Sequence, residues 1–494
     1  MSSEHFVISD SLPPRIEDVS FGYVTSPAST IETYGSFDVS GETPELVEAT
    51  TFRDQQKELF LSDQITNPIL NRCPKFRTEQ TKRRTMFLYL QSLMFVQTQR
   101  YQDGQVQTLE DKMINGSLAS KINELGFIET AAVIADGHID DEFRQSFIKS
   151  LKEASRDIYG LPDRDRSLSY IKARIDKALA LTTSDVIGTK EIKDYIDQSW
   201  NMPTDFTYTE PLLLSKEQIN FYKETLKDEC KEAVEHAFGK VGKKDLYSPS
   251  EMKDIFDFYI EARGFKEAGW SSSIVQGRTM CASNQETKTV EIGDKRPEEE
   301  RTYEKVLQSM LHEIEIHVGR NVRGSKLGSG LAGVGLPGYI SFEEPFAATT
   351  QEVYVGESTV RGLPYVIAVA VAVGYDGKER DFRNTFELTW RLSLAESYDP
   401  TKDLPSQISD VRKKEYDLLV RIWRGMPTDI EGCVFAKDIS YENYEVIKFL
   451  QADGRCLPRD DFLRLLQAKY NPLQIDQDTY IRQQENLELP ETVV

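Results

Sequence analysis

Six consecutive residues restrict local geometry more than any other stretch: His312-Glu313-Ile314-Glu315-Ile316-His317, an H-E-x-x-x-H pattern in a chain with only five histidines. An ideal α-helix turns by about 100° per residue. Residues i and i+4 therefore sit roughly 40° apart and can grip one ion, whereas i and i+5 sit roughly 140° apart and cannot. The spacing predicts a π-type bulge between the histidines, a helix that ends there, or histidines that share no ligand. π-Bulges are rare but concentrate at functional sites. No glycine lies between the histidines to loosen the turn, so a bound metal is expected to help hold it.

The flanks favour a helix. Pro297 followed by Glu298, Glu299 and Glu300 makes a good start, with proline tolerated in the first turn and acids near the positive dipole end. Val306, Met310, Ile314 and Val318 recur at helical spacing. Arg320 and Arg323 lie near the end, and Gly324 can stop the helix. Two neutral imidazoles on neighbouring turns can hold Zn²⁺, and the adjacent Glu313 can act on water. The bland alternative is a buried helix with two hydrogen-bonded histidines; the carboxylate between them favours the metal.

A catalytic zinc takes three protein ligands and keeps one position open. His5, His138 and His236 lie far upstream, and Cys433 stands in no paired spacing. A carboxylate is the expected third ligand. Residues 335–347 run from a glycine-rich turn into Glu343-Glu344-Pro345-Phe346-Ala347, which opens a second helix from Glu344 to about Val355. On the residues alone Glu343, Glu344 and Glu352 all stay open.

His312–Gly324, with Gly338-Tyr339 and Glu343-Glu344-Pro345-Phe346-Ala347, resembles the tyrosine carboxypeptidase family, which includes the microtubule-associated tyrosine carboxypeptidases and bacterial proteins named for a Q-E-G-L-A motif. Arg320 matches an arginine three residues after the family's second histidine. A further block, Arg421-Ile422-Trp423-Arg424-Gly425 and Phe435-Ala436-Lys437-Asp438-Ile439-Ser440-Tyr441, looks like the family's R-G…F-x-K-D-x-x-Y. The similarity covers roughly residues 250–449. It implies a zincin-like metallopeptidase core with a small hairpin or sheet beside the active-site helix. It also places the third zinc ligand on Glu344. Pro345-Phe346 replaces the family's Gly-Leu, and Glu315-Ile316 replaces Gly-Thr, which puts an extra acid near the site.

The implied activity is zinc-dependent hydrolysis of a peptide bond, with a peptide or protein C-terminus, carrying an aromatic residue in the family, as substrate. His312, His317 and Glu344 hold the ion, and Glu313 is the general base. Removal of a C-terminal residue needs a cation for the free carboxylate; Arg320 and Lys437 lead the choices, with Arg323 and Arg424 behind. An aminopeptidase or dipeptidyl peptidase is the alternative, with Glu315 as an acid for the amino terminus. A regulatory protein that retains the fold is the third reading. Before the motif, residues 272–281 and 288–292 read as two strands with a turn at 282–286. Such an edge can accept an added peptide strand.

The fold class expected is α+β, predominantly helical. Segments 78–100, 140–159, 167–181, 215–238, 248–263, 406–423, 441–450 and 460–469 carry helical patterns. Ser250 is the expected cap of the segment at 248–263. The run 365–373 is too short to span a bilayer and reads as a buried helix or strand. The pattern Gly328-x-Gly330-x-x-Gly333 follows a helix, not a strand, so it reads as a flexible connector and not a dinucleotide loop. The expected organisation is an acidic, disordered segment at 1–50, a helical region at 51–247, the metallopeptidase core at 248–470 and a polar tail at 471–494. Residues 1–50 hold nine acids and one base, Arg15. A net charge of −21 over 494 residues argues against nucleic acid and anionic membrane as partners. Five cysteines without C-x-x-C pairing and an N-terminus without a basic, apolar leader point to a cytoplasmic protein.

Overall fold

The computed structural model describes residues 44–70, 91, 108–136, 140–183, 189–285, 287–328, 330–451 and 454–488. The helical segment expected at 78–100 lies outside the described residues, apart from residue 91. So does the acidic segment, except where the helix Pro44–Leu61 begins within it. Among the described residues the chain is mostly helical with one small three-stranded sheet, as the α+β reading expects.

Among the described residues two buried clusters stand out, and they cut across the sequence division at 247/248. One gathers Phe60, helices from 109–200, and the stretch 366–435. Its centre is Leu363–Ala372, where Val366 to Ala372 are at most 1 % exposed, so the apolar run is a buried helix. Among the described residues no helix is long and apolar enough to cross a membrane. The second cluster surrounds the motif and draws in α1 (Lys216–Val241), α2 (Pro249–Ala262), the sheet and the C-terminal region. The segment at 471–494 is no mere polar tail: Ile475–Glu488 is a helix that buries Tyr480 and Ile481 in this core.

Local chemistry explains the boundaries. α1 opens on a capping box between Ser215 and Gln218. α2 opens on a second box between Ser248 and Glu251, with Pro249 in its first turn. The cap is therefore Ser248 and not Ser250, because proline fits at the first helical position and leaves Ser248 three residues before Glu251.

The expected hairpin is a three-stranded sheet. β1 (Ser271–Val275), β2 (Cys281–Asn284) and β3 (Thr289–Gly293) order as β1-β3-β2. β1 runs parallel to β3, while β2 and β3 form the antiparallel hairpin with Cys281 opposite Ile292. The single strand expected over 272–281 splits because the turn between β1 and β2 folds onto Gly293, where a Cβ would sit 2.2 Å from the Arg278 carbonyl oxygen. β2 is left as an edge beside the motif helix.

Pro297 and its three glutamates form only a short 3-10 turn. The motif helix starts later, as α3 (Tyr303–Met310), continues as a π-helix over Leu311–Val318 and ends as α4 (Gly319–Gly324). α5 (Ile340–Val355) packs beside the π-helix despite Pro345 inside it. The glycine-rich connector is packed rather than loose. At Gly324 a Cβ would meet the Ala332 carbonyl oxygen at 2.4 Å, so glycine lets the two backbones touch.

Candidate metal centre

The π-helix resolves the spacing problem. Its i→i+5 hydrogen bonding widens the turn, so His312 and His317 come to one face with ring centroids 4.9 Å apart. Side-chain contacts hold this irregular turn. Leu311, Ile314, Ile316 and Val318 are fully buried and anchor the turn in the core. Glu315, also fully buried, lies away from the imidazoles in an ion cluster. Arg263 donates to it through Nε and Nη2, both at 2.9 Å, Arg323 through Nη1 at 3.0 Å, and the Tyr259 hydroxyl at 2.7 Å. Burial alone would raise this carboxyl's pKa, but Arg323 and Arg263 hold it below the usual carboxylate range. Arg323 Nη2 also caps the Glu315 carbonyl at 3.1 Å. Gly319 makes that reach feasible: a Cβ there would lie 2.3 Å from Arg323 Nη2. Glu315 is thus a clamp on the helix and not an acid of the cleft, because two arginines neutralise it out of solvent.

The two imidazoles are oriented from behind. His312 Nδ1 pairs with Gln351 Oε1 at 3.0 Å, and His317 Nδ1 with Glu343 Oε1 at 2.7 Å. An ionised carboxylate can only accept, so His317 Nδ1 carries the proton and Nε2 presents its lone pair. Both Nε2 atoms face Glu344 Oε2, each at 3.9 Å. One donor atom from each of His312, His317 and Glu344 lies within 4.8 Å of the others. A four-coordinate zinc with bonds of about 2.0–2.2 Å spaces its ligands roughly 3.3 Å apart, so this donor set fits a zinc-sized cation. Burial, aided by His317, pushes the His312 imidazole below its ordinary pKa. Burial acts the same way on His317, but Glu344 and Glu343 outweigh it and raise that imidazole.

Glu313 lies half-buried between the two histidines, outside the converging trio. Its charge is felt by His312, His317 and the buried Cys281 thiol of β2. Of the three acids left open by the sequence, Glu344, from the first half of α5, is the one whose carboxylate converges with the two imidazoles. Glu343 supports His317 from behind, and Glu352 is taken up by Thr359 and Arg361. Gln351 went unread in the sequence, although it sits two turns after Glu344 on the same helix face.

Arg320 does not line the cleft. It is fully buried, with Nη1 on Glu343 Oε2 at 3.0 Å and Nε and Nη2 on backbone carbonyls, so it presents no surface to a substrate. Arg323 is likewise spent on Glu315 and the Leu466 carbonyl. Lys437 lies in the 3-10 turn Ala436–Tyr441, which packs against α5. That turn also carries Tyr441, a half-buried residue whose hydroxyl pKa is raised by Glu344 and burial and eased down by Lys437. Lys437 and Glu344 both act on the charge of Tyr441, while Arg424 is buried.

No protein-family model matches the chain, and no curated protein matches it. The likeness to tyrosine carboxypeptidases therefore rests on the motif residues themselves.

Proposed function

We propose that the protein is a zinc-dependent peptidase with a zincin-like core, acting as a carboxypeptidase. The observation that carries this reading is the convergence of His312, His317 and Glu344 beside a half-buried Glu313. Bound by those three residues, zinc would supply the Lewis acidity that acidifies water and polarises a carbonyl. Glu313 is the general base: it takes a proton from the attacking water and hands it to the leaving amine. Among the described residues β2 pairs on one side only, with β3, and its other edge can take an extended peptide as an added strand. Lys437, in the same 3-10 turn as Tyr441, is the candidate cation for a substrate that ends in a carboxylate. Four free thiols among the described residues favour a reducing, cytoplasmic setting.

The aminopeptidase reading loses its acid, because Glu315 is buried behind the helix. A purely regulatory role leaves Glu313 without a task. Metal analysis followed by digestion of a C-terminal peptide library tests the proposal. About one zinc per chain, with shortened carboxyl ends that vanish in Glu313→Gln, is the expected result. Stoichiometric zinc without cleavage would favour the regulatory reading, and wild-type protein that takes no zinc would end both enzymatic readings.

A further inference from the structure

The support behind His317 extends to a residue 152 positions downstream that no motif marks. Glu343 Oε1 receives His317 Nδ1 at 2.7 Å and also Lys469 Nζ at 2.9 Å. Its other oxygen receives Arg320 Nη1 at 3.0 Å. A carboxylate held by a cation at each oxygen cannot swing about its last torsion, and the imidazole bonded to it keeps one orientation.

The backbone around Lys469 is gripped on every side. Arg320 Nε binds the Ala468 carbonyl at 2.6 Å and Nη2 binds the Tyr470 carbonyl at 2.9 Å. The Lys469 amide donates to the Ala332 carbonyl at 2.7 Å, and its own carbonyl accepts from the Leu336 amide at 2.9 Å. Arg320 thus touches Glu343 with one nitrogen and both peptide neighbours of Lys469 with the others. Lys469 is 5 % exposed, too buried for its ammonium to be a solvated surface charge. Nζ also approaches Gln285 Oε1 at 3.5 Å, in the turn that follows the edge strand β2.

We propose that Lys469 is a positioning residue of the metal centre, which with Arg320 pins Glu343 so that His317 aims Nε2 at the ion. This rests on the zinc reading above. The test measures zinc affinity by chelator competition and, in the metal-free protein labelled with ¹⁵N-histidine, the His317 Nδ1–H resonance. Five histidines keep that spectrum sparse. Lys469→Met should weaken zinc about 10–100-fold and move the resonance. Lys469→Gln keeps a donor but no charge and should fall between it and wild type, and it serves as the second variant if the first does not fold. Unchanged affinity in a folded variant, or a resonance that stays in place, overturns the assignment. Wild-type protein that binds no zinc would refute the metal reading, while the resonance of the metal-free protein would still judge the role of Lys469.

Discussion

Replacing Gly319 by alanine should destabilise the motif helix, against the usual sign of that change. Gly319 has helical backbone angles, φ −57° and ψ −48°, so alanine fits the backbone and would ordinarily gain about 1 kcal/mol. Space forbids it. The new methyl would lie 2.3 Å from Arg323 Nη2 and 2.9 Å from Cζ. The guanidinium must retreat, and it holds Glu315 Oε1 at 3.0 Å, the Glu315 carbonyl at 3.1 Å and the Leu466 carbonyl at 2.8 Å. Hydrogen bonds to charged groups contribute about 1.5–3 kcal/mol each. Losing two and gaining the helical preference leaves a net cost on the order of 3 kcal/mol. Hydrogen exchange over residues 311–324 reads local opening directly, and urea denaturation of the metal-free protein reads the wider effect. A double-mutant cycle isolates the cause: with Arg323→Ala already present, Gly319→Ala should be neutral or stabilising by up to about 1 kcal/mol. Stabilisation of the wild-type background, or equal cost in both, would refute the argument that Arg323 clamps the π-turn.

The other predictions concern ligands, base and charge. His312→Ala, His317→Ala and Glu344→Ala should each abolish zinc retention, checked by metal analysis after dialysis; a variant retaining full stoichiometry removes that residue from the ligand set. Glu313→Gln should keep zinc and lose on the order of a hundredfold or more in peptidase rate; unimpaired cleavage would assign the base elsewhere. Glu343→Ala should cost about 3–5 kcal/mol, because it strands the buried Arg320 and Lys469; a mild effect on urea denaturation would contradict the pinned-carboxylate geometry. Glu315 titrates below its ordinary 4.5 in the folded protein, so its stabilisation is complete above about pH 4.5 and fades as pH falls through the lower folded value. The stability gap between wild type and Glu315→Gln should therefore be constant near neutrality and narrow in acid; a gap that widens in acid would reverse the sign.

The i,i+5 histidine spacing alone determined that this helix had to depart from α geometry or forgo a shared ligand, because helical rotation per residue is a covalent and hydrogen-bonding constant. Sequence also determined the predominance of helix, the two-strand hairpin signal before the motif, and the candidate carboxylates within 343–352. Each of these follows from local periodicity or short-range spacing. Tertiary packing decided the rest. Glu315 looked like an acid of the cleft until Arg263 and Arg323, from 52 residues before and 8 after, buried it behind the helix. Arg320 looked like a substrate cation until the Glu343 carboxylate and two carbonyls of the 468–470 segment took up its donors. Lys469 had no local signature, since its task depends on a backbone grip supplied by residues over 130 positions away. A side chain's charge is written in the sequence, but whether that charge meets solvent, substrate or a buried partner depends on long-range contacts that only the folded chain makes.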